Sequence, residues 1–132
     1  MAKLTREQIE TINSKCKNGW GLDIQYFIFH TEKTLKKIIE LDTEHYLEFR
    51  LDYNYNNQIT LFINKFYHKA NDNFATSSGL GKKKILEETP ATRKSINKLI
   101  ELTEKLTDDE LMKINNETDV IRNIMFVPSE AF

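Results

Sequence analysis

The segment Thr76-Ser77-Ser78-Gly79-Leu80-Gly81-Lys82-Lys83-Lys84 gathers more potential chemistry than any other stretch of the chain. Glycines let backbone N–H groups approach an anion, serine hydroxyls can donate to it, and lysines neutralise its charge. That combination suits a phosphate or pyrophosphate. The spacing is not that of a P-loop, which needs glycine where Thr76 stands. Nor is it the GxGxxG fingerprint, because Gly79 and Gly81 are followed by Lys84. The alternative is a solvated connection between sheet and helix.

Gly19-Trp20-Gly21 sets the only tryptophan between two glycines. An indole there can swing out as a platform for a purine ring. It can equally be a core plug, with the glycines supplying room. His30, His45 and His68 fall near the ends of successive strand-like segments, but their spacing matches no zinc motif. Glu32, Glu40 and Glu44 flank strands as ordinary surface charges, and Ser77 and Ser78 sit on no nucleophile elbow. No catalytic constellation emerges, and no cofactor or metal is expected.

The positioning elements are legible from capping and periodicity. Thr5 and Gln8 form a capping box for a first helix, with Leu4 and Ile9 as its staple and Asn18-Gly19 as its stop. Ile9, Ile12 and Cys16 share one face of it, and Cys16 reads as a small core residue. Residues 22–29 are β-branched and aromatic, a strand. Residues 34–41 fit helix or strand, and the strand is preferred because Asp42-Thr43-Glu44 resembles a hairpin turn. In the next segment His45, Leu47, Phe49, Leu51 and Tyr53 alternate with Tyr46, Glu48, Arg50 and Asp52. An Asn-rich loop leads to a strand over 59–67. Thr89-Pro90 predicts a helix start carrying Ile96, Leu99, Ile100, Thr103 and Leu106. Thr107-Asp108-Asp109-Glu110 opens another helix, continued by Val120, Ile121, Ile124 and Met125 to Pro128.

The expected fold class is therefore α+β. An N-terminal helix precedes an antiparallel β-meander of about four to five strands, and two or three C-terminal helices follow. The 132 residues fit a single domain, 1–132. Lys+Arg 19 against Asp+Glu 20 argues against general nucleic-acid binding, which calls for a basic excess. No apolar run reaches the ~20 residues of a membrane span. The start lacks a signal-peptide core, and Cys16 is the single cysteine, so a cytoplasmic location is expected. The Lys, Asn and Ile bias suggests an AT-rich genome. Aromatic residues crowd the sheet segments, more than one covered sheet hides, and a homo-oligomer is expected.

Three features taken in order carry a family resemblance. They are Gly19-Trp20-Gly21 after a helix, a meander ending in Asn73-Phe74-Ala75-Thr76-Ser77-Ser78-Gly79-Leu80-Gly81, and two closing helices. This order resembles the first family of phage Thoeris anti-defence proteins. Those are small oligomeric sponges that capture a cyclised ADP-ribose signal without degrading it. The resemblance implies a phage-encoded, non-catalytic protein in the host cytoplasm, sequestering a small phosphorylated cyclic nucleotide. It implies Trp20 as the base platform and Arg93 or Arg122 as phosphate partners. With the loop, the expected ligand-binding set is Trp20, Phe74, Ser77, Ser78, Gly79, Gly81, Lys82, Lys83, Arg93 and Arg122. Two other classes stay open. One is a protein-interaction inhibitor of a host defence nuclease, using the aromatic sheet face and acidic helices with Trp20 as hot spot. The other is a phosphodiesterase-type enzyme with His68 as base.

Overall fold

A computed structural model describes residues 4–26, 31–54, 56–68 and 77–122. The chain runs α1 (Arg6–Lys15), β1 (Gly21–Tyr26), β2 (Thr31–Glu40), β3 (His45–Tyr53), β4 (Gln58–Tyr67) and β5 (Ser77–Glu88). A 3-10 turn (Ala91–Arg93), α2 (Ile96–Thr103), α3 (Asp108–Glu117) and β6 (Val120–Arg122) follow. The six strands lie in sequence order in one antiparallel sheet. The α+β expectation holds, and residues 34–40 lie in strand β2, not a helix, with Leu41 just beyond it.

Capping fixes the helix starts. Thr5 Oγ1 accepts from the Gln8 N–H (3.1 Å) while Gln8 Oε1 accepts from the Thr5 N–H (2.8 Å). The α1 helix stops at Lys15, and Asn18 (φ 56) and Gly19 (φ 81) then turn the chain through the left-handed region. The positive φ is what calls for glycine at 19, and a Cβ there would also displace the tip of Lys37, whose Nζ would lie 2.8 Å away. Ser95, not Thr89, caps α2, and Pro90 only leads into the 3-10 turn. The Thr89 N–H is taken by Asn57 O (2.8 Å), so that segment closes the sheet before any helix begins.

Two further sequence expectations are corrected. The Ser/Gly/Lys stretch is strand β5 from Ser77 onward, not a connecting loop. It is recruited by the open side of β4, whose backbone groups need partners. The last helix ends at Glu117, where Thr118 returns its N–H (2.9 Å) and Oγ1 to Ile114 O. Val120–Arg122 then pair with Leu80–Lys82 as β6. Short apolar runs suit either period, and the free edge of β5 decides this one. The expected helix positions Ile124, Met125 and Pro128 lie outside the described residues, as do residues 27–29 of the first strand.

The alternation in β3 sets the two faces of the sheet. Leu47, Phe49 and Leu51 pack with Leu35, Ile59, Leu61 and Ile63. Helical Leu99, Ile100, Leu111 and Ile114, together with Trp20 and Leu106, cover them. The described helices thus bury one face, as an antiparallel sheet permits. Cys16 only lines this core, and burial pushes its thiol pKa up.

The β2–β3 turn is held by Asp42. Its Oδ1 accepts from the Glu44 and His45 N–H groups (both 2.8 Å) and lies 3.0 Å from His45 Nδ1. The Glu44 backbone bond, then the His45 ring, hold this carboxyl below its ordinary range. A lowered folded pKa contributes stability above the unfolded value, and that contribution disappears as pH falls through the folded one. Below about pH 4 the wild type should therefore lose stability more steeply than Asp42→Asn, measured by urea unfolding across pH. Parallel curves would show that the turn carboxylate does not contribute.

Candidate functional site: the sheet face opposite the described helices

Tyr46, Glu48, Arg50 and Asp52 point away from the core, and cross-strand pairing extends this second face in rows. Lys36, Arg50, Phe62 and Lys83 form one row across four strands. Ile38, Glu48, Asn64 and Gly81 form the next, followed by Glu40, Tyr46 and Phe66. Ile38 and Ile85 are 45% and 48% exposed, unusual for isoleucine, while Phe62, Phe66 and Tyr46 are half-buried. None of these five belongs to the buried core.

Arg50 is the electrostatic centre of this face. Its Nη1 donates to Asp23 Oδ2 (2.5 Å) and Thr34 Oγ1 (3.3 Å), and its Nε donates to Glu48 Oε1 (2.6 Å). All three ionic side chains are mostly covered, with 22%, 28% and 12% exposure for Arg50, Asp23 and Glu48. Burial by itself lowers the guanidinium pKa, but the two carboxylates outweigh it and the net shift is upward. The face is therefore locally neutralised, with cations Lys36, Arg50 and Lys83 set against Asp23, Glu40, Glu48 and Asp52. Thr60, between Asp52 and Ile85 in the register, is fully buried, and its Oγ1 has no hydrogen-bond partner among the described residues.

An aromatic group closes one end. Tyr46 stacks on Phe66 (5.6 Å between centroids) and meets the His68 ring at 4.9 Å. His68 Nε2 is hydrogen-bonded to Glu40 Oε2, and its N–H donates to Glu44 O (2.8 Å). Burial, then Glu48 and Glu40, push the Tyr46 phenol pKa up. His45 instead faces Tyr67 at 4.7 Å. Among the described residues no group of three or more His, Cys, Asp or Glu could hold a metal ion. His30 lies outside the described residues.

The described members of the sequence-derived ligand set are not brought together. Trp20 is 4% exposed within the core, and its Nε1–H donates to Leu106 O (3.0 Å). The stacking-platform role is corrected to a core plug, because the ring is buried among the core residues. Lys82 donates to Asn115 O on α3, which ties it to the helix side. Gly81 is buried, and the Asn64 carboxamide occupies the space an anion would need, since a Cβ there would meet Asn64 Oδ1 at 2.7 Å. Lys83 is exposed on the open face. Ser77, Ser78 and Gly79 belong to β5 and Arg122 to β6, with the side chains of the serines and of Arg122 outside what is described. Phe74 lies outside the described residues.

Arg93 is exposed beside an open cleft of about 490 Å³, with Glu87, Ser95 and Lys98. It lies beyond the far end of the twelve-residue β5 from Ser77. At ~3.4 Å per residue that separation exceeds roughly 30 Å, too far for one small ligand within one chain.

The Arg50 cluster matches no sequence motif. The available signal was Glu48, Arg50 and Asp52 alternating with core residues on one strand. A charge of each sign on the same strand face predicts an ion-paired surface.

No protein-family model, curated protein or solved structure matches this chain. The described residues define an α+β arrangement whose helices cover one face of the sheet. No helix among the described residues is long and apolar enough to cross a membrane.

Proposed function

We propose that this chain is a non-catalytic binding protein that docks a protein partner on the sheet face opposite the described helices. The observation that carries this reading is the pairing of exposed Ile38 and Ile85 with half-buried aromatic rings around a neutralised Arg50. Apolar and aromatic groups around a fixed polar centre suit a protein interface. The charge pattern selects the partner class. With both signs interleaved, the face offers no sustained positive field for a polyanion, and complements a partner surface of mixed charge. This is the interaction-inhibitor class among the alternatives open at the sequence. Capture of a phosphorylated nucleotide is the second reading, and it has lost its platform and its loop.

The test is affinity capture from the cells that make the protein, with three baits run in parallel. A stoichiometric partner should be retained by wild type and by Arg93→Glu, which alters the helix side. Phe62→Asp should lose it. Retention by Phe62→Asp would sink the open-face reading. A thermal shift with a phosphorylated cyclic nucleotide, in the absence of any captured protein, would restore the sponge.

A further inference from the structure

The rim of the sheet carries a feature that the binding reading does not use. The short β6 pairs with β5 only at Leu80–Lys82. The outer edge of β5 from Lys83 to Glu88 has no strand partner among the described residues. This six-residue window is bounded at both ends. On one side Val120 occupies Lys82. On the other the chain leaves the sheet, because the Thr89 N–H turns to Asn57 O and Pro90 has none. Unpaired edge backbone is a template for another strand.

The sequence of the window is Lys83-Lys84-Ile85-Leu86-Glu87-Glu88, two cations, two apolar residues and two anions. We propose that this edge pairs antiparallel with the same edge of a second copy of the chain, about a two-fold axis between Ile85 and Leu86. Lys83 then stands opposite Glu88 of the partner subunit, and Lys84 opposite Glu87 of the partner subunit. Each match occurs twice, as an isologous contact requires.

The bulge in β5 makes this register possible. In an unbroken strand, positions five apart point to opposite faces, so Lys83 and Glu88 could not meet across a perpendicular two-fold. Here Thr60 is opposite Ile85 while Ile59 is opposite Glu87, so Leu86 is one extra residue. The shift puts Glu88 on the face of Lys83, aligned with Gln58 and Phe62. It puts Glu87 on the face of Lys84, aligned with Ile59 and Leu61. Lysines and bulges ordinarily discourage edge pairing, because a foreign strand brings no matching charge. This edge discourages others and matches itself. At the axis Ile85, 48% exposed on the open face, and Leu86, packed toward the core, point to opposite sides and form no side-chain pair, so the four charge pairs carry the contact. Glu87 already holds Lys98 of α2 at 2.8 Å and would share that contact. The pairing shares Lys83 and Ile85 with the open face but uses neither Ile38, Phe62 nor Arg50, so sedimentation of the Lys83 and Glu88 variants and capture by Phe62→Asp report on the two readings separately.

Sedimentation velocity at roughly 100 μM chain, above the micromolar range of modest interfaces, should give twice the 15.6 kDa of one chain. Lys83→Glu sets carboxylates against each other twice per dimer. Glu88→Lys does the same with ammonium groups. Each should weaken dimerisation by on the order of tenfold or more. The double variant Lys83→Glu/Glu88→Lys should restore it, which also shows that both substituted chains fold. A monomeric wild type, a dimer indifferent to either single substitution, or a double variant that stays monomeric would each overturn the proposed pairing.

Discussion

Trp20→Ala should destabilise the protein by about 4 kcal/mol, within the ~3–5 kcal/mol range for deleting a buried large aromatic side chain. The indole is 4% exposed and is packed with Leu106 and the buried sheet residues. Its removal leaves a cavity in the core. It also leaves the Leu106 carbonyl without the Nε1–H donor it has at 3.0 Å. Against the ~5–15 kcal/mol of a typical domain, that loss is large enough to show as a clear drop in the urea midpoint. A tryptophan held out for a ligand would behave differently, since its replacement abolishes binding and leaves stability nearly unchanged. Equilibrium unfolding of Trp20→Ala separates the two, and an unchanged midpoint would return the residue to the surface.

Arg50→Met should cost about 2 kcal/mol, chiefly from what it leaves behind. Asp23 and Glu48 converge on the guanidinium from β1 and β3, and both are mostly covered. Without the cation, two carboxylates face each other on a surface that water reaches only in part. The value lies below that for fully buried pairs because residual exposure screens the charges. Replacing all three, as Arg50→Met/Asp23→Asn/Glu48→Gln, should recover most of the loss. The single variant should unfold at lower urea than the triple. If the triple is no better than the single, the cost belongs to lost packing of the arginine stem and not to stranded charge.

Much of the fold was legible because local signals agreed with one another. Thr5 and Gln8 announced the first helix, Asp42 the hairpin turn, and the alternation from His45 to Tyr53 both faces of the sheet. What escaped depended on distant partners. Ser77–Lys84 reads as a loop by composition, yet it is a strand because β4 had an edge to fill. Val120 and Ile121 fit a helical period, yet they pair with β5. The candidate site suffered most. Glycines beside Trp20 suggested display of the ring, whereas Gly19 serves a left-handed turn under Lys37 and the indole points inward. Residue type states which chemistry is available, and only packing decides whether a side chain can reach a ligand.

The stretch after α1 is stitched to the far end of the chain. The Lys17 N–H reaches Thr103 Oγ1 (3.0 Å), Asn18 Nδ2 reaches Thr103 O (2.8 Å), and Lys37 Nζ bridges Asn18 O (2.5 Å) and Asp108 (2.7 Å). During synthesis Thr103 emerges some 85 residues after the Lys17 and Asn18 groups that bond to it. The hairpins from β2 to β5 can form early from near neighbours, but the nascent sheet keeps its greasy side bare until the ribosome has released α3. Final closure therefore waits on translation through the α2–α3 segment. Stalling before that point would leave an intermediate prone to chaperone capture.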